Sequence, residues 1–259
     1  MKENKTKRAL QRGEFVLGTV NRYFRSPEIA QALATADYDF IWIDMEHSCF
    51  DLETVADTAR AALAAGITPI VRIPELQSHF ISRALDSGAL GVIVPEVDSR
   101  KQAEDTVRFS KYAPLGRRRT VGRLAHADYA GVDAAEFNRR SNEEVLTSVL
   151  VESEAGVENI EEIVSVEGLD LVIIGAGDLS LSLGVPGETD HEKVRECIRK
   201  VIVACKRHRV FIGLGGTSGF DVPRRWMGEG VRFYCHSVDI ALLMDGAAAD
   251  ARRLRGAVS

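Results

Sequence analysis

Short runs of β-branched and other apolar residues alternate with longer amphipathic stretches from one end of the chain to the other. The apolar runs are continuous, which indicates strands buried on both faces, as in a parallel sheet covered by helices. The pattern predicts strands near 15–20, 40–44, 69–72, 90–94, 148–152, 170–174, 210–213 and 231–235. It predicts helices near 27–36, 51–65, 77–87, 99–110, 156–165, 190–208, 218–228 and 238–254.

Eight strand–helix units in 259 residues favour an α/β fold with one domain, a single (β/α)8 TIM barrel spanning 1–259. A doubly wound open sheet is the alternative, because a strand count from one sequence is easily wrong by one. The segment 111–147 interrupts the alternation and is too long for a simple strand–helix connection. We interpret it as an insertion loop.

Composition and charge exclude several classes of protein. A formal net charge of −5 gives no electrostatic reason to expect nucleic-acid binding. No apolar stretch approaches the length of about 20 residues that spans a bilayer. The four cysteines show no paired or C-x-x-C spacing, so we expect reduced thiols. These features predict a cytoplasmic protein that binds neither nucleic acid nor membranes.

Two carboxylates follow apolar runs directly, Glu152 after one strand and Asp178 shortly after the next. In a parallel α/β fold the carboxyl ends of the strands open on one face, so these side chains should lie close together. Carboxylate oxygens are the ligands that Mg²⁺ and Mn²⁺ prefer. An arginine partner for Glu152 and a turn-capping role for Asp178 are the alternatives.

The strand near 40–44 ends in a second polar group that contains Asp44, Glu46 and His47. A carboxylate beside a histidine can raise its basicity, as a general base requires. Glu46 could also hold a metal-bound water. A packing or metal-binding histidine remains an alternative, and Cys49 raises a weaker Cys/His nucleophile hypothesis.

Arg72 ends another apolar strand, where a guanidinium needs an anionic partner. That partner could be a substrate carboxylate, or Asp44 or Glu96 in a structural ion pair. No lysine ends a predicted strand, so carbonyl chemistry here would need a metal rather than an imine. The glycine-rich stretch 213–219 could form an anion site or a plain tight turn.

A set of motifs runs in order through nearly the whole chain: WIDMEH at 42–47, VR at 71–72, ALDSGA at 84–89, YAPLGRR at 112–118, VESE at 151–154, VEGLD at 166–170, IGAGDLS at 174–180 and HSVD at 236–239. Together they resemble the HpcH/HpaI family of metal-dependent (class II) pyruvate aldolases, typified by 2,4-dihydroxyhept-2-ene-1,7-dioate aldolase. The set is more specific than any one of its members.

The resemblance implies roles for individual residues. Glu152 and Asp178 would bind a divalent cation (Mg²⁺, Mn²⁺ or Co²⁺). His47, held by Asp44, would act as the base, and Arg72 would contact the substrate carboxylate or the enolate oxygen. The backbone N–H groups of Gly177 and Asp178 would receive that carboxylate.

The resemblance also implies an assembly. Asp86 matches a position that reaches the active site of a neighbouring subunit. The family's barrels are hexamers with an exchanged final helix, which predicts a homo-oligomer that uses the C-terminal helix. The small-molecule partners would be a 2-oxoacid and an aldehyde.

These implications predict an aldolase that cleaves or forms 4-hydroxy-2-oxoacids through a metal-stabilised enolate. Oxaloacetate decarboxylation and cleavage of an acyl-CoA, as in citrate lyases, are alternatives on the same scaffold. The arginine triplet at 117–119 is the only candidate for binding the nucleotide of CoA. A barrel that binds a small carboxylate without turnover is a third hypothesis.

Overall fold

The structure is a computed structural model that describes residues 1–131, 133–217 and 219–257. Its strands are β1 (Val16–Asn21), β2 (Phe40–Asp44), β3 (Thr68–Arg72), β4 (Gly91–Val94), β5 (Leu146–Val151), β6 (Leu171–Gly175), β7 (Phe211–Gly215) and β8 (Phe233–Val238). Each strand pairs in parallel with the next one in sequence, and β8 closes the barrel on β1. The predicted TIM barrel is therefore confirmed, and the open-sheet alternative is wrong.

The α-helices lie mostly outside the barrel. They are α1 (Lys5–Gln11), α2 (Glu28–Thr35), α3 (Leu52–Ala65), α4 (Ser78–Asp86), α5 (Arg100–Ser110), α6 (Ala134–Glu144), α7 (Glu154–Glu158), α8 (Ile160–Val164), α9 (Ala176–Ser182), α10 (Glu192–His208), α11 (Asp221–Glu229) and α12 (Asp239–Gly256). A 3₁₀ helix spans Ala125–Ala127. Among the described residues, no helix is both long and apolar enough to cross a membrane.

The predicted elements differ from the structure in several places. The sequence pattern did not predict α1, α6 or α9, and the segment 111–147 is not a loop throughout, because it contains α6 and the start of β5. α6 buries few side chains, so its apolar periodicity is weak. The helix predicted near 156–165 is two short helices that meet at Asn159. Of the helix predicted near 218–228, Ser218 lies outside the described residues, and α11 begins at Asp221.

The core has two parts, one between the strands and the helices and one inside the barrel. Inside the barrel, the rings of Phe40 and Phe233 stack with their centroids 4.1 Å apart. A side chain at Gly18 would overlap the Phe40 ring, so this strand position must be glycine for the ring to fill the interior. The interior of this barrel is therefore a packed core and not a pore.

The amino-terminal end of the barrel is closed by α1 and a buried ionic cluster. Leu10 packs against the interior core. The Nζ atoms of Lys7 and Lys111 lie 2.7 and 3.0 Å from the two carboxylate oxygens of Asp170. Burial lowers the pKa of Lys111 to about 8. This end of the barrel is therefore filled by protein. Ligand sites of TIM barrels lie at the opposite end, where the strands finish.

Candidate active site

A cavity of about 440 Å³ opens at the carboxyl ends of the strands. Its lining includes five residues with predicted site roles: His47, Arg72, Glu152, Gly177 and Asp178. They come from the ends of four different strands, which is how a TIM barrel assembles a site from residues distant in sequence.

Arg72 is held by two carboxylates at the end of β2. Its Nε and Nη2 atoms donate to the two oxygens of Asp44, at 2.9 and 2.7 Å. Its Nη1 atom lies 2.6 Å from Glu46 Oε2. Burial alone would raise the pKa of Asp44, but the Arg72 and Arg22 guanidinium groups hold it below its usual value. The ion pair with Asp44, one of the sequence alternatives, is therefore present, and it fixes the guanidinium plane at the cavity wall.

His47 lies at the cavity mouth with about half of its side chain exposed. Asp44 contacts it through the backbone, because the His47 N–H donates to Asp44 Oδ1 at 3.4 Å. The carboxylate nearest to the ring is that of Glu46, whose Oε2 lies 3.8 Å from His47 Nε2. Burial raises the pKa of Glu46. The imidazole is thus free to reach a ligand in the cavity.

Glu152 follows β5 and lies partly buried beside β6. The backbone N–H of Glu96 donates to Glu152 Oε1 at 3.2 Å, from a residue held in the left-handed region with φ of 53°. A Cβ at Gly175 would lie 2.7 Å from Glu152 Oε2, so the glycine makes the space in which this carboxylate sits. Burial, with the neighbouring negative charge of Asp178, raises the pKa of Glu152 to about 7. A bound cation would offset both effects, because a nearby positive charge favours the ionised form of a carboxyl group.

The alternatives for the carboxylate pair are absent from the described part of the chain. Within residues 1–131, 133–217 and 219–257, neither Glu152 nor Asp178 lies within 4 Å of a basic nitrogen, although the charge of Arg72 attracts Glu152 and acts to lower its pKa. In the same ranges Asp178 accepts no hydrogen bond that would cap its turn. No cluster of three or more His, Cys, Asp and Glu side chains in these ranges could hold a metal ion. Two carboxylates would suit Mg²⁺ or Mn²⁺, since these cations keep several positions for water and substrate.

Gly216 lies against the backbone at the start of α9, where it leaves space beside the Gly177 nitrogen. A Cβ at Gly216 would lie only 3.0 Å from the Gly177 nitrogen, and Gly216 has a φ of 74° that favours glycine. The first N–H groups of a helix have no acceptor within it. The N–H groups of Gly177 and Asp178 lie in this first turn, and both residues line the cavity.

Two other sequence hypotheses fall outside this cavity. Asp86 ends α4 and pairs with the buried Arg118, whose Nη2 lies 2.7 Å from Asp86 Oδ1. Within its own chain Asp86 does not line the cavity. Cys49 does not line it either, and none of the described lining residues is a lysine, which agrees with a route that forms no imine.

The sequence reasoning missed Arg22, which also lines the cavity. Its Nε donates to Asp44 Oδ2 at 2.8 Å. The signal was available, because Arg22 follows the first apolar strand as directly as Glu152 follows the fifth. The roles of the Glu96 N–H group and of Gly175 depend on contacts between strands that no local pattern shows.

The fold defines a TIM-barrel protein, and its candidate active site gathers carboxylates, guanidinium groups and an imidazole at the strand ends. The sequence profile of one family, "HpcH/HpaI aldolase/citrate lyase", matches residues 23–244. The chain belongs to this family.

Similar proteins cover nearly the whole chain. A "hydroxypyruvate/pyruvate aldolase" of Delftia acidovorans is 33% identical over 97% of this chain and 93% of its own length. A "4-hydroxy-4-methyl-2-oxoglutarate aldolase" of Chaetomium globosum is 33% identical over 75% of this chain and 73% of its own length. The crystal structure of an HpcH/HpaI aldolase from Desulfitobacterium hafniense has a TM-score of 0.90 and 33% identity, over 96% of each chain. The protein is accordingly a carbon–carbon lyase of the aldolase class.

Proposed function

We propose that the protein is a divalent-metal-dependent pyruvate aldolase, which cleaves 4-hydroxy-2-oxoacids into pyruvate and an aldehyde and also catalyses the reverse addition. The observation that carries this proposal is that Glu152 and Asp178, which form no close ion pair within the described ranges, line the same cavity as Arg72 and His47. The relatives named as pyruvate and 4-hydroxy-4-methyl-2-oxoglutarate aldolases support the substrate class.

Glu152 and Asp178 would hold the cation, Mg²⁺, Mn²⁺ or Co²⁺. When bound, such a cation supplies positive charge that stabilises an enolate oxygen. Asp178 lies at the exposed rim, and Glu152 is fixed from below by the Glu96 N–H group. The absence of a side chain at Gly175 leaves the space that the Glu152 carboxylate occupies beside the cavity.

His47 would remove the proton from the 4-hydroxyl group of the substrate. The C3–C4 bond then breaks, its electron pair moves into the C2–C3 enolate, and the C4 carbon leaves as an aldehyde. The proton held by His47 can return to C3, which gives pyruvate. Glu46, 3.8 Å from the ring, stabilises the protonated imidazole in between.

Arg72 and the N–H groups at the start of α9 would orient the 2-oxoacid end. Asp44 holds the Arg72 guanidinium rigidly, so its remaining N–H groups are preorganised for an oxyanion. The Gly177 N–H group, kept accessible by Gly216, would receive the substrate carboxylate. Both contacts would place the carboxylate and keto oxygens of a 2-oxoacid beside the cation held by Glu152 and Asp178.

An acyl-CoA substrate is the weaker alternative. The arginine triplet at 117–119 does not line the cavity, and Arg118 is buried against Asp86. Oxaloacetate decarboxylation would use the same enolate, so analysis of products from oxaloacetate and from 4-hydroxy-2-oxoacids distinguishes the two reactions.

We also propose that the protein is a homo-oligomer that uses α12, with a hexamer implied by the family resemblance. Within α12 only Asp239 is buried, while Leu243, Met244 and Leu254 are exposed. Apolar residues in such positions favour contact with another subunit. The role that the resemblance implies for Asp86, in the active site of a neighbouring subunit, also requires an oligomer. Light scattering coupled to size-exclusion chromatography measures the assembly directly.

The decisive experiment measures pyruvate release from 4-hydroxy-2-oxoacids after chelation and after addition of Mg²⁺, Mn²⁺ or Co²⁺. We expect activity only with added metal and a loss of at least 100-fold in Glu152→Gln, an effect typical of removing electrostatic stabilisation at a reacting centre. Glu154→Gln is the matched control, because this neighbouring carboxylate starts α7 and does not line the cavity. Activity that survives both the chelator and Glu152→Gln would end the proposal.

A further inference from the structure

Arg22 places a second guanidinium group in the cavity, and it shares the Asp44 carboxylate with the guanidinium of Arg72. It follows the last residue of β1, and 27% of its side chain is exposed. Its Nε donates to Asp44 Oδ2. Its two terminal nitrogens donate no hydrogen bond to any residue in the described ranges. Donors that face a cavity without a protein acceptor are available to a ligand.

The backbone of Arg22 is held by a buried carboxylate. Asp239 Oδ2 accepts from the N–H groups of Arg22, Tyr23 and Phe24 at 3.0, 2.9 and 3.0 Å. The Asn21 side chain donates to the same oxygen at 2.9 Å and to the Phe24 carbonyl. Four donors on one oxygen fix the loop after β1, so the guanidinium is preorganised.

The position of Arg22 in the barrel sets which part of a substrate it could meet. β1 lies opposite β5 in a closed barrel of eight strands. The carboxylate pair follows β5 and β6, so Arg22, which follows β1, lies on the side of the cavity opposite the carboxylate pair. Its neighbours in the lining include Val20, Trp42 and Val238, which offer no other charge for an anion.

We propose that Arg22 is a specificity-determining residue that binds an anionic group, a carboxylate, on the aldehyde-derived end of the substrate. This inference rests on the proposed function, in which the 2-oxoacid end lies at the carboxylate pair. The carbon chain beyond C4 then extends toward β1, where the terminal nitrogens of Arg22 bind a carboxylate by charge-assisted hydrogen bonds. The preferred acceptor aldehydes are those that end in a carboxylate.

The test compares pyruvate addition to aldehydes of two to four carbons that end either in a carboxylate or in a hydroxyl group. We expect the wild-type protein to prefer the carboxylates in kcat/KM. Arg22→Gln should lower kcat/KM for the carboxylates roughly tenfold to 100-fold more than for the hydroxyl series, because any loss that acts through Asp44 affects both series equally. Arg22→Lys should retain part of the preference, because the charge remains. Arg25→Gln is the matched control, since Arg25 donates to the Cys49 carbonyl and does not line the cavity.

An equal loss on both aldehyde series would overturn the proposal, because Arg22 would then act only by holding Asp44. No loss on either series would overturn it as well. A wild-type protein that adds pyruvate to no aldehyde would contradict the proposed function instead.

A binding measurement decides the role of Arg22 without turnover. Calorimetry compares 2-oxoglutarate and 2-oxoadipate with the monocarboxylates of equal length, 2-oxopentanoate and 2-oxohexanoate, on the protein with Mn²⁺. At least one dicarboxylate should bind more tightly to the wild type, and Arg22→Gln should abolish the difference. Equal binding of both classes to the wild type would refute the assignment.

Discussion

Binding of a divalent cation should weaken as the pH falls below 7, because a proton competes for Glu152. Burial raises the pKa of this carboxyl to about 7, and a cation binds only the ionised form. The ionised fraction then falls from about nine-tenths at pH 8 to about one-tenth at pH 6. Affinity should therefore drop about tenfold over that interval, or about 1.4 kcal/mol. Glu152→Gln removes the titrating group, so its residual affinity should not follow this curve.

Isothermal titration with Mn²⁺ at pH 6, 7 and 8, in buffers of different ionisation enthalpy, measures both the affinity and the protons released. At pH 7 the wild type should release about half a proton per cation. Glu154→Gln should behave as the wild type, since its side chain lies outside the cavity. Equal affinity at pH 6 and 8 without proton release would refute the reasoning, as would an unchanged pH dependence in Glu152→Gln.

Three further substitutions test other parts of the structure. Gly216→Ala places a Cβ 3.0 Å from a cavity N–H donor at a positive φ, so KM for the 2-oxoacid should rise about tenfold or more in steady-state assays. Burial lowers the pKa of His126 to about 3, and the unfolded chain binds this proton first as the pH falls below 6.5. The fall from pH 7.5 to pH 5 should therefore cost the wild type about 2 kcal/mol more stability than it costs His126→Leu in urea unfolding, whereas the exposed-site control His79→Gln should behave as the wild type. Asp170→Asn leaves two buried lysine charges without their partner, and should cost about 3–5 kcal/mol in the same measurement.

The sequence predicted the barrel because its strands are buried on both faces and read as unbroken apolar runs. This signal does not depend on tertiary context. It failed for α6, whose polar sequence buries only Phe137, Ser141 and Glu144 and therefore carries little periodicity. The hydrophobic pattern also failed to predict α1, where Lys7 is buried by pairing with Asp170, the residue before β6. Buried charges of this kind look like surface residues in a sequence.

The cavity residues were predictable to the extent that they end a strand or follow one directly. Arg72 and Glu152 were found in this way, and Arg22 could have been. The choice of partners was not predictable, because spacing could not decide between Asp44 and Glu96 as the anion for Arg72. Instead, the backbone N–H group of Glu96 donates to Glu152. Glu96 has a positive φ, which a glutamate in the sequence does not predict.

The distribution of charge in the cavity separates its two proposed tasks. The guanidinium groups of Arg22 and Arg72 share Asp44, and Arg72 also contacts Glu46, so their charges are anchored on the side of β1 to β3. The carboxylates at the ends of β5 and β6 have no such partner within the described ranges, so that side of the cavity attracts a cation. A substrate whose 2-oxoacid end lies between Arg72 and the carboxylate pair would therefore meet Arg22 with a group farther along its carbon chain. Loss of the metal should affect every substrate, whereas loss of the Arg22 guanidinium should affect most strongly those with a distal anion.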